Sequence, residues 1–194
     1  ITPLLFFLVQ KLKTINSLFA VDNHLTKKGS SPKIMIIGMS EAGKSMSKIL
    51  LNYGIDPIVL DKSPSNIRML RENGIKALLG DATNRAVLTK AGIKNSKIII
   101  ITISNASKSI AVVQLIIKNY PSIKLIVRAI NPECYEKLNS LGIRDIVMEP
   151  HYSALHLTEK TLTALGENPY EINKNIKEFD FSSPLLGTSK TKKY

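Results

Sequence analysis

Apolar residues in this chain come in short runs, separated by stretches with helical spacing. Lys33–Ile37 reads as a first strand. Glu41–Asn52 repeats its apolar positions at helical intervals and stops near Gly54, a natural C-terminal signal. Ile58–Leu60 reads as a second strand. Pro64 sits where a first helical turn tolerates it, and the helix through Arg68 and Leu70 ends at Asn73-Gly74. Ala77–Leu79 gives a third strand, and Asn84–Ala91 a helix closed by Gly92. Lys97–Ile103 contains five isoleucines, as a strand covered on both faces should. Ser107–Tyr120 is a helix followed by Pro121, Lys124–Arg128 a fifth strand, and Pro132–Leu141 a helix closed by Gly142. Asp145–Met148 is a sixth strand, and Ser153–Leu165 a longer helix closed by Gly166.

Strands alternating with helices predict an α/β fold: a Rossmann-like, doubly wound parallel sheet of about six strands with a C-terminal crossover helix. In such a sheet a ligand lies at the carboxyl ends of the strands, where strand order reverses. The nucleotide-binding domain is expected over 33–150, the C-terminal helix over 151–170 and a polar tail over 171–194. Residues 14–32 are mixed and polar and read as a linker. Before them Thr2–Val9 is strongly apolar, with Lys11 and Lys13 after it. That run is far short of the ~20 residues that span a bilayer. The order of apolar and basic residues suits the cytoplasmic end of a last membrane helix, expected over 1–13.

The turn after the first strand is Gly38-Met39-Ser40-Glu41-Ala42-Gly43-Lys44-Ser45. It nearly fits G-x-G-x-x-G, with Ser40 where the second glycine belongs, and it fits G-x-x-x-x-G-K-[ST] in full. Both patterns hold phosphate on backbone N–H groups at a helix N-terminus. The second strand ends at Asp61, about 20 residues further on, where an acid can accept hydrogen bonds from ribose hydroxyls and disfavours a 2′-phosphate. A P-loop would instead need Lys44 on the outer phosphates, Ser45 on Mg²⁺ and an acid such as Asp61 on a strand.

Composition narrows the classes. Apolar residues make up 44% of the 194 residues, so a sizeable core can be buried, and without Trp it must be mostly Ile and Leu. Cys134 is the single cysteine, which excludes a disulfide within the chain and a cysteine-based zinc site; the cytosol fits best. His24, His151 and His156 show no metal spacing, and no nucleophile elbow is present. The net charge is +12, but it comes almost wholly from evenly spread lysines; the arginines are Arg68, Arg71, Arg85, Arg128 and Arg144. Without an aromatic-studded basic stripe, nucleic acid is not an expected partner. A domain held beside an anionic membrane surface is.

Leu79-Gly80-Asp81-Ala82-Thr83-Asn84, with Val87-Leu88 and Ala91-Gly92-Ile93 after it, resembles the Gly-Asp-(Ala/Gly)-Thr…Leu…Ala-Gly signature of RCK (TrkA-N, or KTN) domains. The order around it agrees: the glycine loop, Val59-Leu60-Asp61, Ile101-Thr102-Ile103 and Val127-Arg128-Ala129. Leu165-Gly166-Glu167-Asn168-Pro169-Tyr170-Glu171 resembles the Leu-Gly-x-x-Pro-Tyr-Glu segment of Kef-type potassium-efflux antiporters, and Thr2-Pro3-Leu4-Leu5 the close of their last membrane helix. The resemblance covers about residues 1–175. It implies a homodimeric regulatory domain beneath a membrane antiporter domain of the same polypeptide, at the cytoplasmic face of the bacterial inner membrane. There it would bind AMP or ADP, with NAD(H) as an alternative, and gate K⁺/H⁺ exchange rather than catalyse a reaction. Carried onto this chain, the nucleotide would touch Gly38, Ser40, Glu41, Ala42, Gly43, Asp61, Lys62, Asp81, Ala82 and Thr102, with Arg128 reaching toward the phosphates or the partner subunit.

Other readings stay open at this stage: a TrkA-like subunit of a potassium uptake system, a P-loop nucleotidase or kinase, or an NAD-dependent oxidoreductase. Ser40 adds a Cβ where a pyrophosphate must approach the backbone, which favours a mononucleotide. Glutathione-gated relatives carry an Arg near Met148 and an Asn near Ser183. Neither is present here, so control by glutathione is not expected.

Overall fold

A computed structural model describes residues 34–179. The expected membrane-helix end (1–13), the linker (14–32) and the tail beyond residue 179 lie outside the described residues. The chain divides into two compact units at Val147/Met148.

The first unit is built on a sheet whose strands run in the order β3-β2-β1-β4-β5-β6. Its strands are β1 (Ile34–Ile37), β2 (Ile58–Asp61), β3 (Lys76–Leu79), β4 (Ile98–Ile101), β5 (Lys124–Ala129) and β6 (Asp145–Met148). β1 pairs in parallel with β2 and with β4, at Ile36↔Val59 and Ile36↔Ile100; β2–β3 and β4–β5 are parallel too. Between the strands run α1 (Glu41–Asn52), α2 (Pro64–Glu72), α3 (Arg85–Lys90), α4 (Ala106–Asn119) and α5 (Pro132–Ser140). This strand order is the one of two βαβαβ halves meeting at β1 and β4, and it leaves a crevice where they part.

The core explains the composition. Met35, Ile36, Ile37, Val59, Leu60, Ile99 and Ile101 are almost wholly buried. β-branched side chains suit such strands because they are stiff and pack against the pleat. Helices start where the sequence offers a cap. The side chains of Ser40, Ser63, Asn84, Asn105 and Asn131 each accept a backbone N–H of the turn they precede.

The second unit holds α6 (Glu149–Ala164) and α7 (Pro169–Glu178). Two expectations are corrected here. α6 begins four residues before Ser153, because Pro150 falls in its first turn, where no N–H is needed. A second helix occupies the start of the expected polar tail. Asn168 caps the Tyr170 N–H, Pro169 opens the first turn, and Ile172 is buried, with Ile176 half-buried one turn on. Two apolar residues four apart were a thin signal among lysines and asparagines. Among the described residues, no helix is long and apolar enough to cross a membrane.

One contact sets how closely α1 approaches the sheet. A Cβ on Gly43 would stand 2.7 Å from Thr102 Oγ1 and 2.8 Å from the Gly38 carbonyl oxygen. Alanine in a helix ordinarily gains about 1 kcal/mol over glycine. Gly43→Ala should reverse that sign and lose about 1–3 kcal/mol through overpacking. Denaturant unfolding of the variant checks this, and a midpoint at or above that of the parent would show that the turn yields.

Candidate functional site

The carboxyl ends of β1, β2, β3 and β4 are bound to one another beyond the strands proper. Gly38 N–H donates to the Leu60 carbonyl, Gly80 N–H to the Asp61 carbonyl and Thr102 N–H to the Ile37 carbonyl, each at 2.9 Å. Above them opens a cleft of about 330 Å³. Its floor and rims come from the four strand ends: Gly38, Met39 and Ser40; Asp61, Lys62, Ser63 and Asn66; Gly80 to Thr83; and Ile103, Ser104, Asn105 and Lys108.

The glycine turn is short. Gly38 takes φ +92°, a conformation that favours glycine, and a Cβ there would also collide with Ile103. Ser40 is extended and caps α1, its Oγ accepting the Gly43 N–H at 3.3 Å. The helix is therefore already under way at Glu41. That decides between the two patterns read in the loop. A P-loop needs residues 39–43 as an open cradle, whereas here Glu41–Ser45 lie within α1. Lys44 does not line the cleft; its Nζ pairs with Glu41 Oε1 at 2.7 Å on the exposed side of the helix. The match to G-x-x-x-x-G-K-[ST] is a coincidence of sequence.

Asp61 holds the turn in place. One carboxylate oxygen accepts the Met39 N–H at 2.7 Å; the other accepts the Ser63 N–H at 2.8 Å and the Asn66 amide at 3.1 Å. A carboxylate has about four lone-pair sites, so three donors leave room for one more. Asp61 is thus an anchor of the loop and, at the cleft wall, an acceptor for a further donor.

Asp81 follows β3. Its Oδ1 accepts the Thr83 N–H at 2.9 Å and the Thr83 hydroxyl at 2.7 Å. Those bonds hold its carboxyl below the usual aspartate value, with smaller help from Lys108 and Lys62; slight burial opposes them. A lowered folded value means that this contribution to stability is present above the ordinary aspartate value and fades as pH falls through the lowered one. Asp81 is not the cap of α3; Asn84 is. Ala82 is buried beside it.

Of the residues expected to meet a nucleotide, Gly38, Ser40, Asp61, Lys62, Asp81 and Ala82 line the cleft together. Glu41 and Ala42 stand on the exposed first turn of α1, where N–H groups lack helical partners. Gly43 and Thr102 lie behind the loop: Thr102 is buried, and its hydroxyl donates to the Gly38 carbonyl at 2.7 Å. Arg128 donates from Nη2 to the Thr102 carbonyl and to Ser104 Oγ, both at 3.1 Å, and so braces the loop after β4. Sequence reasoning missed Ser63, Asn66, Asn105 and Lys108. For Ser63 and Asn105 the signal existed, since both are caps at strand-to-helix junctions, and Asn66 and Lys108 each follow one three residues later.

Comparison with known proteins agrees with the fold. The family model of the TrkA-N domain matches residues 34–149. The glutathione-regulated potassium-efflux system protein KefC of Escherichia coli is 27% identical over 92% of this chain. The chain spans only 28% of that relative's length. Among solved structures, the Shewanella denitrificans Kef C-terminal domain in AMP-bound form superposes with a TM-score of 0.68 at 28% identity, covering 74% of this chain and 87% of that one. The TrkA-N domain of the inner membrane protein ybaL from Escherichia coli gives 0.62 at 26% identity, covering 66% of this chain and 96% of its own. The chain belongs to the TrkA-N domain family.

Proposed function

We propose that this chain is the cytoplasmic regulatory domain of a Kef-type K⁺/H⁺ antiporter, with AMP or ADP in the cleft setting the activity of the membrane part. The observation that carries this reading is the cleft itself. It lies where a sheet of this order binds nucleotides, between a helix N-terminus and an acid at the end of β2. At about 330 Å³ it is at the small end of ligand sites. A mononucleotide suits that size better than NAD(H), which remains the competing ligand. The AMP-bound Kef domain supports the choice.

In this pose the phosphate meets the N–H groups of the first turn of α1, near Ser40. Asp61 accepts a ribose hydroxyl with its remaining lone pair, and Asp81 with Ala82 lies beside the base. Lys62 and Lys108 offset the charge the ligand brings. Nothing in the pose requires bond making, so the domain acts by binding. Its partners are the membrane domain of the same polypeptide and a second copy of itself, at the cytoplasmic face of the inner membrane beside its anionic leaflet. An apolar membrane segment preceding this domain in the same gene separates the antiporter reading from a TrkA-like uptake subunit.

Titration calorimetry of the 194-residue chain tests the ligand. AMP or ADP should bind more tightly than NAD⁺, and Asp61→Ala should weaken AMP about tenfold or more, the worth of one charge-assisted hydrogen bond. Stronger binding of NAD⁺ would defeat the mononucleotide reading, and unchanged AMP affinity in the variant would remove Asp61 from the pose.

Lys44 gives an independent check on mechanism. Lys44→Ala should leave AMP affinity within a few-fold, with no need for Mg²⁺, because Lys44 is paired outside the cleft. Mg-ATP hydrolysis abolished by this substitution would overturn the regulatory reading.

Glutathione should not act here. Met148, near the position of the donor in gated relatives, is buried and apolar. A glutathione adduct at millimolar concentration should give no heat of binding, whereas a micromolar Kd would contradict this.

A further inference from the structure

The end of α1 away from the cleft carries apolar side chains in water. Ile49 is 55% exposed and Tyr53 79%; they are four residues apart and share a helix face. Ile55 N–H donates to the Leu50 carbonyl at 2.9 Å, which folds residue 55 back against the helix end, and Ile55 is 39% exposed. Isoleucines and a tyrosine grouped in this way are more than scattered surface apolar residues.

The chain itself supplies an occupant. In a parallel sheet all strands begin at one edge and the helices between them end there. β1 starts at Ile34 on that edge, and Ile34 packs against the same core cluster as Leu50 and Leu51 from the end of α1. The 33 preceding residues therefore join the first unit next to this patch. Within them, Thr14-Ile15-Asn16-Ser17-Leu18-Phe19-Ala20-Val21 puts Ile15, Leu18 and Phe19 at i, i+3 and i+4, the spacing of an apolar helix face. Residues 20–33 separate Phe19 from β1, a tether of up to about 45 Å when extended. Reach does not limit contact. A short tether holds a segment at millimolar effective concentration, far above that of a separate partner or of a second copy at micromolar concentration.

We infer that residues 15–21 dock on Ile49, Tyr53 and Ile55 at the far end of α1. The same helix begins just after its cap Ser40 in the cleft, about 18 Å away for twelve residues. The docked segment and the cleft then share one rigid element. Docking does not depend on which ligand the cleft takes.

Hydrogen exchange on the 194-residue chain without nucleotide tests it. Amides of 15–21 should exchange at least tenfold more slowly than in a free peptide of the same sequence. The double variant Ile49→Ser, Tyr53→Ser should return them to peptide rates while β1 and β4 stay protected, and Phe19→Ser should do the same from the other side. Three results would overturn the inference: peptide-like rates in the parent, protection that survives the double variant, and protection lost on dilution, which would assign the patch to a second copy. AMP titration of the same samples reports separately on the cleft.

Discussion

The close approach of α1 to the ends of β1 and β4 is the constraint on which the site depends. It exists because Gly43 has no side chain where Thr102 Oγ1 and the Gly38 carbonyl pass. The Thr102 hydroxyl then ties that carbonyl down, and Arg128 ties down the Thr102 carbonyl in turn. This chain of bonds runs from β5 through β4 to the glycine turn. It holds the start of α1 at the cleft, where the N–H groups of Glu41 and Ala42 lack helical partners and an anion can use them. Residues behind the loop thus contribute to the site without lining it, because they hold the backbone that would meet the ligand.

Asp61 shows why one residue can carry two explanations. An acid at the end of the second strand reads in sequence as a ribose acceptor or as a turn residue. In the fold it is already a turn residue three times over, through Met39, Ser63 and Asn66. That role leaves a place for a ligand hydroxyl, since a carboxylate accepts more bonds than the protein gives it here. The loop is organised before any ligand arrives, which lowers the ordering cost of binding.

The sheet was legible in the sequence because each strand is a compact apolar run and α1, α2, α3 and α5 each run from a side-chain cap to a glycine. The boundaries of α1 and of β6 were read correctly to the residue. The helix Pro169–Glu178 was not, since its apolar face rests on Ile172 and Ile176 in a lysine-rich context. In the glycine loop, motif matching could not decide between two phosphate-binding patterns that share a spacing. The position of the first helical residue decides, and a cap such as Ser40 is a local feature that neither pattern encodes. Lys108 escaped notice because evenly spread lysines give no hint of which one stands over a cleft.

Asparagine is the capping residue of α3, α4, α5 and α7. Its amide hydrolyses slowly to a carboxylate as a protein ages. At a helix start that conversion is tolerated, because aspartate caps as well as asparagine and its charge is favoured by the helix dipole. Where the product is aspartate, the caps of α3, α5 and α7 are kept. Asn105 differs, because it lies in the cleft wall beside Lys108. A new negative charge there would leave the helix intact and oppose an anionic ligand. Conversion of Asn105 to aspartate would therefore show first in what the domain binds, before any change in its stability.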